Sequence, residues 1–280
     1  MVTNEAQANY WTSPAGLKWI EHEHALDTAM AGMLDMMLDS AAPRSTDRVL
    51  DIGCGTGAST IATAECVPNG SVLGVDISEP LLSRARSRAA AEGAQNASFL
   101  LADAQTHDFS GEKFNLLVSR IGMSFFSDTV SALQNLALAL TDSGRMVFVC
   151  WASVVQNPWF AIPKQAAEDR LGPQPKGDPS APGPTAFQDC ARVAEIMARA
   201  GLCDVEARPI DIVLTPPDGV QGAARAASRV GPAARIMKAY SGTDADEADI
   251  EDAVRIAFEQ FDEAGEVRVP AVVNLFTCSK

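Results

Sequence analysis

Residues Arg48–Thr60 read RVLDIGCGTGAST, and the fold turns on them. RVLDI is an apolar, β-rich run holding one acid, Asp51. Gly53, Gly55 and Gly57 then alternate with small residues before a helical pattern begins. Glycines that dense suit neither a strand nor a helix. They suit a sharp strand-to-helix turn whose bare backbone lets a ligand come close. The helix that follows presents free N–H groups and the positive end of its dipole, which favours anionic or polar ligand groups.

Outward from that turn, short β-rich runs alternate with helical stretches, the pattern of βαβ units and a parallel sheet. The strands expected are RVLDIG, SVLGVDI, ASFLLAD, FNLLVSR and RMVFVCW, then one within VEARPIDIVL and a last in RVPAVVNLFTCS. Their near-continuous Val, Leu and Ile suit strands buried on both faces. The expected fold class is therefore α/β: a Rossmann-like, mostly parallel seven-stranded sheet with helices on both faces. An N-terminal helical cap (1–45) precedes the main domain (46–280). In the cap, LKWIEHEHALDTAMAGMLDMMLDSA reads as one amphipathic helical pattern whose methionines pack the core. Residues 151–187, Pro- and Gly-rich in their second half, read as a loop and lid. Residues 217–264 read as an acidic helical insertion before the last strand, and these two segments should form a substrate cap.

Composition narrows the partners. The chain of 280 residues is 47% hydrophobic, enough for a real core, and its net charge of −14 argues against binding to phosphate backbones. The one basic run, SRARSR at 83–88, puts Arg84 and Arg88 on one helix face and reads as a solvated surface. The start of the chain is polar and unlike a signal peptide, and no apolar run approaches the ~18 residues a membrane helix needs. Six scattered cysteines, with no C-x-x-C pair, read as reduced thiols in a cytoplasmic protein without a disulfide framework or metal site.

The glycine turn alone does not choose the ligand, because Gly53, Gly55 and Ala58 also satisfy the dinucleotide pattern G-x-G-x-x-A. Asp76, at the end of the next strand, can accept hydrogen bonds from a ribose diol, which NAD enzymes share. Two further features are not shared with them: Asp51 inside the first strand, and the ADA of residues 102–104 after the third. With these, VLDIGCGTG, GVDIS and LADAQTHDF resemble the consecutive cofactor motifs of class I S-adenosylmethionine-dependent methyltransferases. FNLLVSRIGMSFF, LTDSGRMVFVCW and NPWF continue the resemblance over most of the chain. It is strongest towards the small-molecule enzymes of ubiquinone and menaquinone biosynthesis (UbiE-like).

The resemblance implies S-adenosyl-L-methionine as cofactor, S-adenosyl-L-homocysteine as product and no metal. It sets Asp51 at the cofactor's amino group, partly through water, with Gly53, Cys54, Gly55 and Gly57 along the methionine and ribose. Asp76 would hold the ribose diol, with Ile77 and Leu81 on the adenine. Asp103 and the Ala104 N–H would read the adenine edge, and Ser119 and Arg120 would flank the methionine moiety. The chain departs from the family at Asn115, where Asp is usual, and in LTDSGR, which replaces a Pro-Gly turn. The motif of nucleic-acid amino methylases is absent, so no DNA or RNA substrate is expected.

Methyl transfer needs an acceptor held in line and water excluded, and a base only where the acceptor must lose a proton. His22 and His24 are the weak candidates for that base, and their spacing puts them on different faces of a helix. Trp11, Phe125, Trp151 and Trp159 are the candidate acceptor wall, while Trp19 reads as packing. The function expected is methyl transfer to an O, N, S or C atom of a small molecule, by a monomer or homodimer. The rivals are a non-catalytic cofactor- or partner-binding protein and a NAD-dependent oxidoreductase, the latter lacking any Tyr-x-x-x-Lys set.

Overall fold

A computed structural model describes residues 4–173, 177–178 and 180–280. The strands are β1 (Arg48–Ile52), β2 (Ser71–Asp76), β3 (Ala97–Leu101), β4 (Phe114–Arg120), β5 (Leu140–Trp151), β6 (Cys203–Leu214), the two-residue ribbon β7 (Asp262–Glu263) and β8 (Glu266–Val267), and β9 (Val269–Ser279). Seven of them form one sheet in the order β3-β2-β1-β4-β5-β9-β6. β1 pairs parallel with β2 and β4, whereas β9 runs antiparallel between β5 and β6. Strand order reverses between β1 and β4, and in open α/β sheets the crevice at that reversal is where ligands bind.

The strands are apolar on both faces because both faces are covered. Val49, Leu116 and Val118 pack into one core cluster with Met33 and Met37 of the N-terminal helices, while Leu50 and Leu117, one residue along, pack into the other with Leu133, Leu136 and Val193. Each such side chain, taken fully out of water, contributes about 1.5–3 kcal/mol.

The helices are α1 (Glu5–Trp11), α2 (Pro14–Glu21), α3 (Glu23–Ala29), α4 (Ala31–Ala41), α5 (Ala58–Cys66), α6 (Glu79–Glu92), α7 (Thr129–Ala139), α8 (Pro158–Leu171), α9 (Cys190–Arg199), α10 (Gly219–Arg229), α11 (Pro232–Tyr240) and α12 (Asp244–Phe258). No helix among the described residues is long and apolar enough to cross a membrane. α8 packs against α11 and α12, and α10 against α3, so the segment before β9 and the N-terminal helices meet above the sheet.

Three expectations are corrected. The single amphipathic pattern of residues 17–41 is broken at His22 and Met30, whose ψ angles swing to 14°. The break at Met30 follows docking, because the Ala29 carbonyl accepts from the Thr215 N–H beyond β6. Residues 158–171, expected within a loop, form α8. Trp159, Phe160, Pro163 and Ala167 bury one face at helical spacing, a pattern hidden in the sequence by two prolines of which Pro158 merely opens the first turn. The rest of that lid expectation includes 174–176 and 179, which lie outside the described residues. The third correction concerns Arg84 and Arg88. They pair with Glu23 and Asp27 of α3, one turn apart on each helix, and Arg88 is only 16% exposed. A basic face thought to meet solvent instead fastens the cap.

Candidate functional site

The site is built where β1, β2 and β4 end. Gly53 has φ +67°, and a Cβ there would stand 2.7 Å from the Gly122 Cα, so the turns after β1 and β4 touch backbone to backbone. Gly57, at φ +91°, caps α5, and a Cβ would come within 3.0 Å of the Ala85 Cβ. Only glycine fits either place. The chain leaves β4 through Ile121, a β-branched residue at φ +75° whose N–H donates to the Val149 carbonyl at 2.7 Å. Such backbone costs about 1–3 kcal/mol and persists only where its surroundings hold it.

These turns open onto a cavity of about 640 Å³. Of the residues expected at the cofactor, Gly53, Cys54, Gly55, Asp76, Ile77, Leu81, Asp103, Ala104 and Arg120 line it. Trp11, Phe125, Trp151 and Trp159 line it as well, joined by Trp19. Trp11 sits edge-on to both Trp19 and Phe125, with ring centroids 6.2 and 5.4 Å apart. Trp19, expected only to pack, therefore does both.

Asp76 is a brace. Its Oδ2 accepts from the Gly55 N–H and its Oδ1 from the Ser78 N–H, each at 2.9 Å, tying the glycine turn to the start of α6. A carboxylate has further lone pairs, so this leaves it able to accept from hydroxyls in the cavity. Burial pushes its pKa up, against the pull of the Gly55, Ser78 and Ile77 N–H groups. Asp103 is covered by the N-terminus: Asn4 Nδ2 donates to its Oδ1 at 2.8 Å, and the Gln105 N–H donates to the same oxygen at 3.0 Å.

Five residues expected at the site stand behind or beyond the cavity wall. Asp51 is wholly buried, and its Oδ2 is taken by the Ser59 and Thr60 hydroxyls at 2.7 and 2.6 Å. Ser59 itself lines the cavity, so it lies between Asp51 and any ligand. Gly57 is turned into α6. Ser119 is buried, donating to the Ile52 carbonyl at 2.6 Å, and so clamps β4 to β1. Neither candidate base is at the wall: His24 is exposed, and His22 is half-buried between α2 and α3, its pKa lowered by burial.

Two orphaned polar atoms test whether the site suits the expected cofactor. Asp51 Oδ1 and Arg120 Nη1 are buried with no hydrogen-bond partner. An acceptor and a cationic donor left unpartnered near one another fit an amino-acid end, an ammonium with a carboxylate, and the residues present therefore suit the cofactor. Burial raises Asp51 to about 6 against the hydrogen bonds of Thr60 and Ser59. Burial also pushes the Cys54 thiol well up, which makes it a poor nucleophile.

The far end of the cavity escaped sequence reasoning. Ser228, Arg229, Arg235, Lys238, Asp244 and Glu247 of the insertion reach it, as does Lys18 of α2. Arg229 pairs with Glu247 at 3.1 Å and Glu251 at 3.4 Å. No local pattern marks these residues. Asn4 gave no signal either, since its partner lies 99 positions away. Ser59 and Thr60 could have been found, being hydroxyls on the first turn of a helix directly after the glycines.

Comparison with known proteins agrees with the geometry. Residues 43–170 match the family described as a methyltransferase domain. The chain is 37% identical over 113 residues to aklanonic acid methyltransferase DauC of Streptomyces sp. (strain C5), covering 40% of this chain and 51% of that protein. It is 30% identical over 189 residues to the malonyl-[acyl-carrier protein] O-methyltransferase of Magnetococcus marinus, covering 68% and 63%. The matches thus span between half and two thirds of these relatives. In fold it is similar to the YcgJ protein of Bacillus subtilis, with a TM-score of 0.56 at 19% identity, covering 88% of this chain and 97% of that one. The chain carries a class I S-adenosylmethionine-dependent methyltransferase domain.

Proposed function

We propose that this protein transfers a methyl group from S-adenosylmethionine to a small acceptor with an apolar, planar body and an acidic group. The observation that carries this reading is the continuity of one cavity, from the glycine turn to a wall of tryptophans and on to a cationic rim. Its volume of about 640 Å³ is in the range of small-molecule sites. The bound cofactor supplies an already activated methyl group. Asp76 would take the ribose hydroxyls, Ile77 and Leu81 would pack on the adenine, and Asp103 with Ala104 would read its edge. Arg120, with Asp51 acting through Ser59 or water, would hold the amino-acid end. Trp11, Phe125, Trp151 and Trp159 would exclude water and hold the acceptor in line.

Lys18, Arg235 and Lys238 form no ion pair with any described residue, although acids outnumber bases in the chain. Asp244 stands beside them, and Glu247 is engaged by Arg229. That rim supports an anionic acceptor. An ionised acid or enol also needs no base, which suits a cavity wall without a histidine among the described residues. The two relatives are named for aklanonic acid and for a malonyl thioester, both carrying acidic groups.

The test is calorimetric titration with S-adenosylmethionine, S-adenosylhomocysteine and NADH, followed by homocysteine-nucleoside release with a panel of aromatic acids and their neutral esters. Micromolar binding of the first two, none of NADH, and turnover restricted to the acids is the expected result. Binding of NADH alone overturns the cofactor assignment. Binding without turnover on any acceptor favours a non-catalytic protein.

A further inference from the structure

One carboxylate of the N-terminal cap holds an arginine that lines the cofactor end of the cavity. Asp27, on α3, accepts from Arg120 Nη2 at 2.8 Å on one oxygen and from Arg88 Nη1 at 2.8 Å on the other. Arg88 Nη1 also lies 3.2 Å from the Thr56 hydroxyl, inside the glycine turn. Arg120 is 8% exposed in its side chain and lines the cavity, and its Nη1 has no partner. A guanidinium presents its donors as a rigid planar fork, so fixing one nitrogen fixes where the other points. Asp27 is not itself at the cavity wall.

We propose that Asp27 is a positioning residue for the cofactor's carboxylate. Holding Arg120 by Nη2, it leaves Nη1 as the donor for that carboxylate. Because Asp27 belongs to the cap, the carboxylate site is complete only when the cap is seated. The cofactor's amino-acid end and cap closure are therefore coupled. This rests on the cofactor reading above and adds the residue through which the cap communicates with it. The neighbouring pair, Arg84 with Glu23, fastens the same two helices without touching Arg120 and serves as the control.

The experiment compares two ligands on the full chain. S-adenosylhomocysteine carries the amino-acid end; 5′-methylthioadenosine has the same nucleoside and thioether without it. Asp27→Asn should weaken S-adenosylhomocysteine by about tenfold, the scale of a lost charge-assisted bond, and leave 5′-methylthioadenosine unchanged. Glu23→Gln should leave the ratio of the two affinities where it is. Arg120→Gln should collapse that ratio, and adding Asp27→Asn to it should change nothing more, since both act through one contact. Should Asp27→Asn weaken both ligands by the same factor, Asp27 is only a fastener of the cap and the proposal falls. An unchanged ratio with unchanged affinities also overturns it. If the unaltered protein binds neither ligand, the cofactor reading itself fails, which is a separate and recognisable result.

Discussion

The two ends of the cavity are made by different means. At the cofactor end the wall is largely backbone and short side chains drawn from runs that are contiguous in sequence: Gly53 to Ser59, Asp76 to Leu81, Ala102 to Ala104. At the acceptor end, Lys18, Trp19, Trp151, Trp159, Arg229 and Lys238 come from five separate elements and meet only when the helices pack. The difference teaches where rigidity resides. Strand ends and a glycine turn are held by sheet hydrogen bonds and strained backbone, whereas the acceptor wall is held by helix packing and ion pairs. The first resists alteration of any part; the second should tolerate change in one part at the expense of specificity.

Four experiments test that contrast. The largest effect is expected from Gly53→Ala. With φ at +67° and the Gly122 Cα 2.7 Å from the new Cβ, it should lower stability by about 2–4 kcal/mol and abolish S-adenosylhomocysteine binding. Denaturant unfolding and calorimetry read both quantities, and a stable binder would mean the two turns are not locked together. Next, Asp76→Ala should cost about a hundredfold in affinity, since it removes the ribose acceptor and releases the Gly55 and Ser78 N–H groups.

The pH dependence comes third. Burial raises Asp51 from the ordinary 3.8 of a free aspartate to about 6 in the fold, so between those pH values the folded protein holds a proton that the unfolded chain lacks. The penalty for burying the ionised carboxylate is therefore present above about pH 6 and is relieved as pH falls towards 3.8. Ligand binding should run the opposite way. An ammonium needs the ionised form, so affinity for S-adenosylhomocysteine should drop as pH falls below about 6, by up to tenfold per unit. Asp51→Asn should flatten that profile, and an unaltered slope would detach Asp51 from the ligand.

The smallest effect belongs to the acceptor end. Lys238→Gln should raise KM for an acidic acceptor severalfold while leaving both stability and S-adenosylhomocysteine affinity within error, as expected for an exposed rim charge. Loss of cofactor affinity in that variant would show that the two ends are not separable.

The sequence alone determined the sheet and the cofactor end, because both depend on local signals. Val49, Leu50, Leu116 and Leu117 announce strands covered on both faces, and three glycines followed by small residues announce the turn. These choices are set by sterics and hydrophobic burial within a few residues of chain. The packing of the tertiary structure was needed to turn Arg88 towards Asp27 and not solvent, and to make residues 158–171 a helix. It also brought Asn4 onto Asp103 and Lys18 to the same rim as Lys238. Those outcomes depend on contacts between residues tens to hundreds of positions apart, whose free energy exists only once the helices have packed, and nothing in the local chain encodes them.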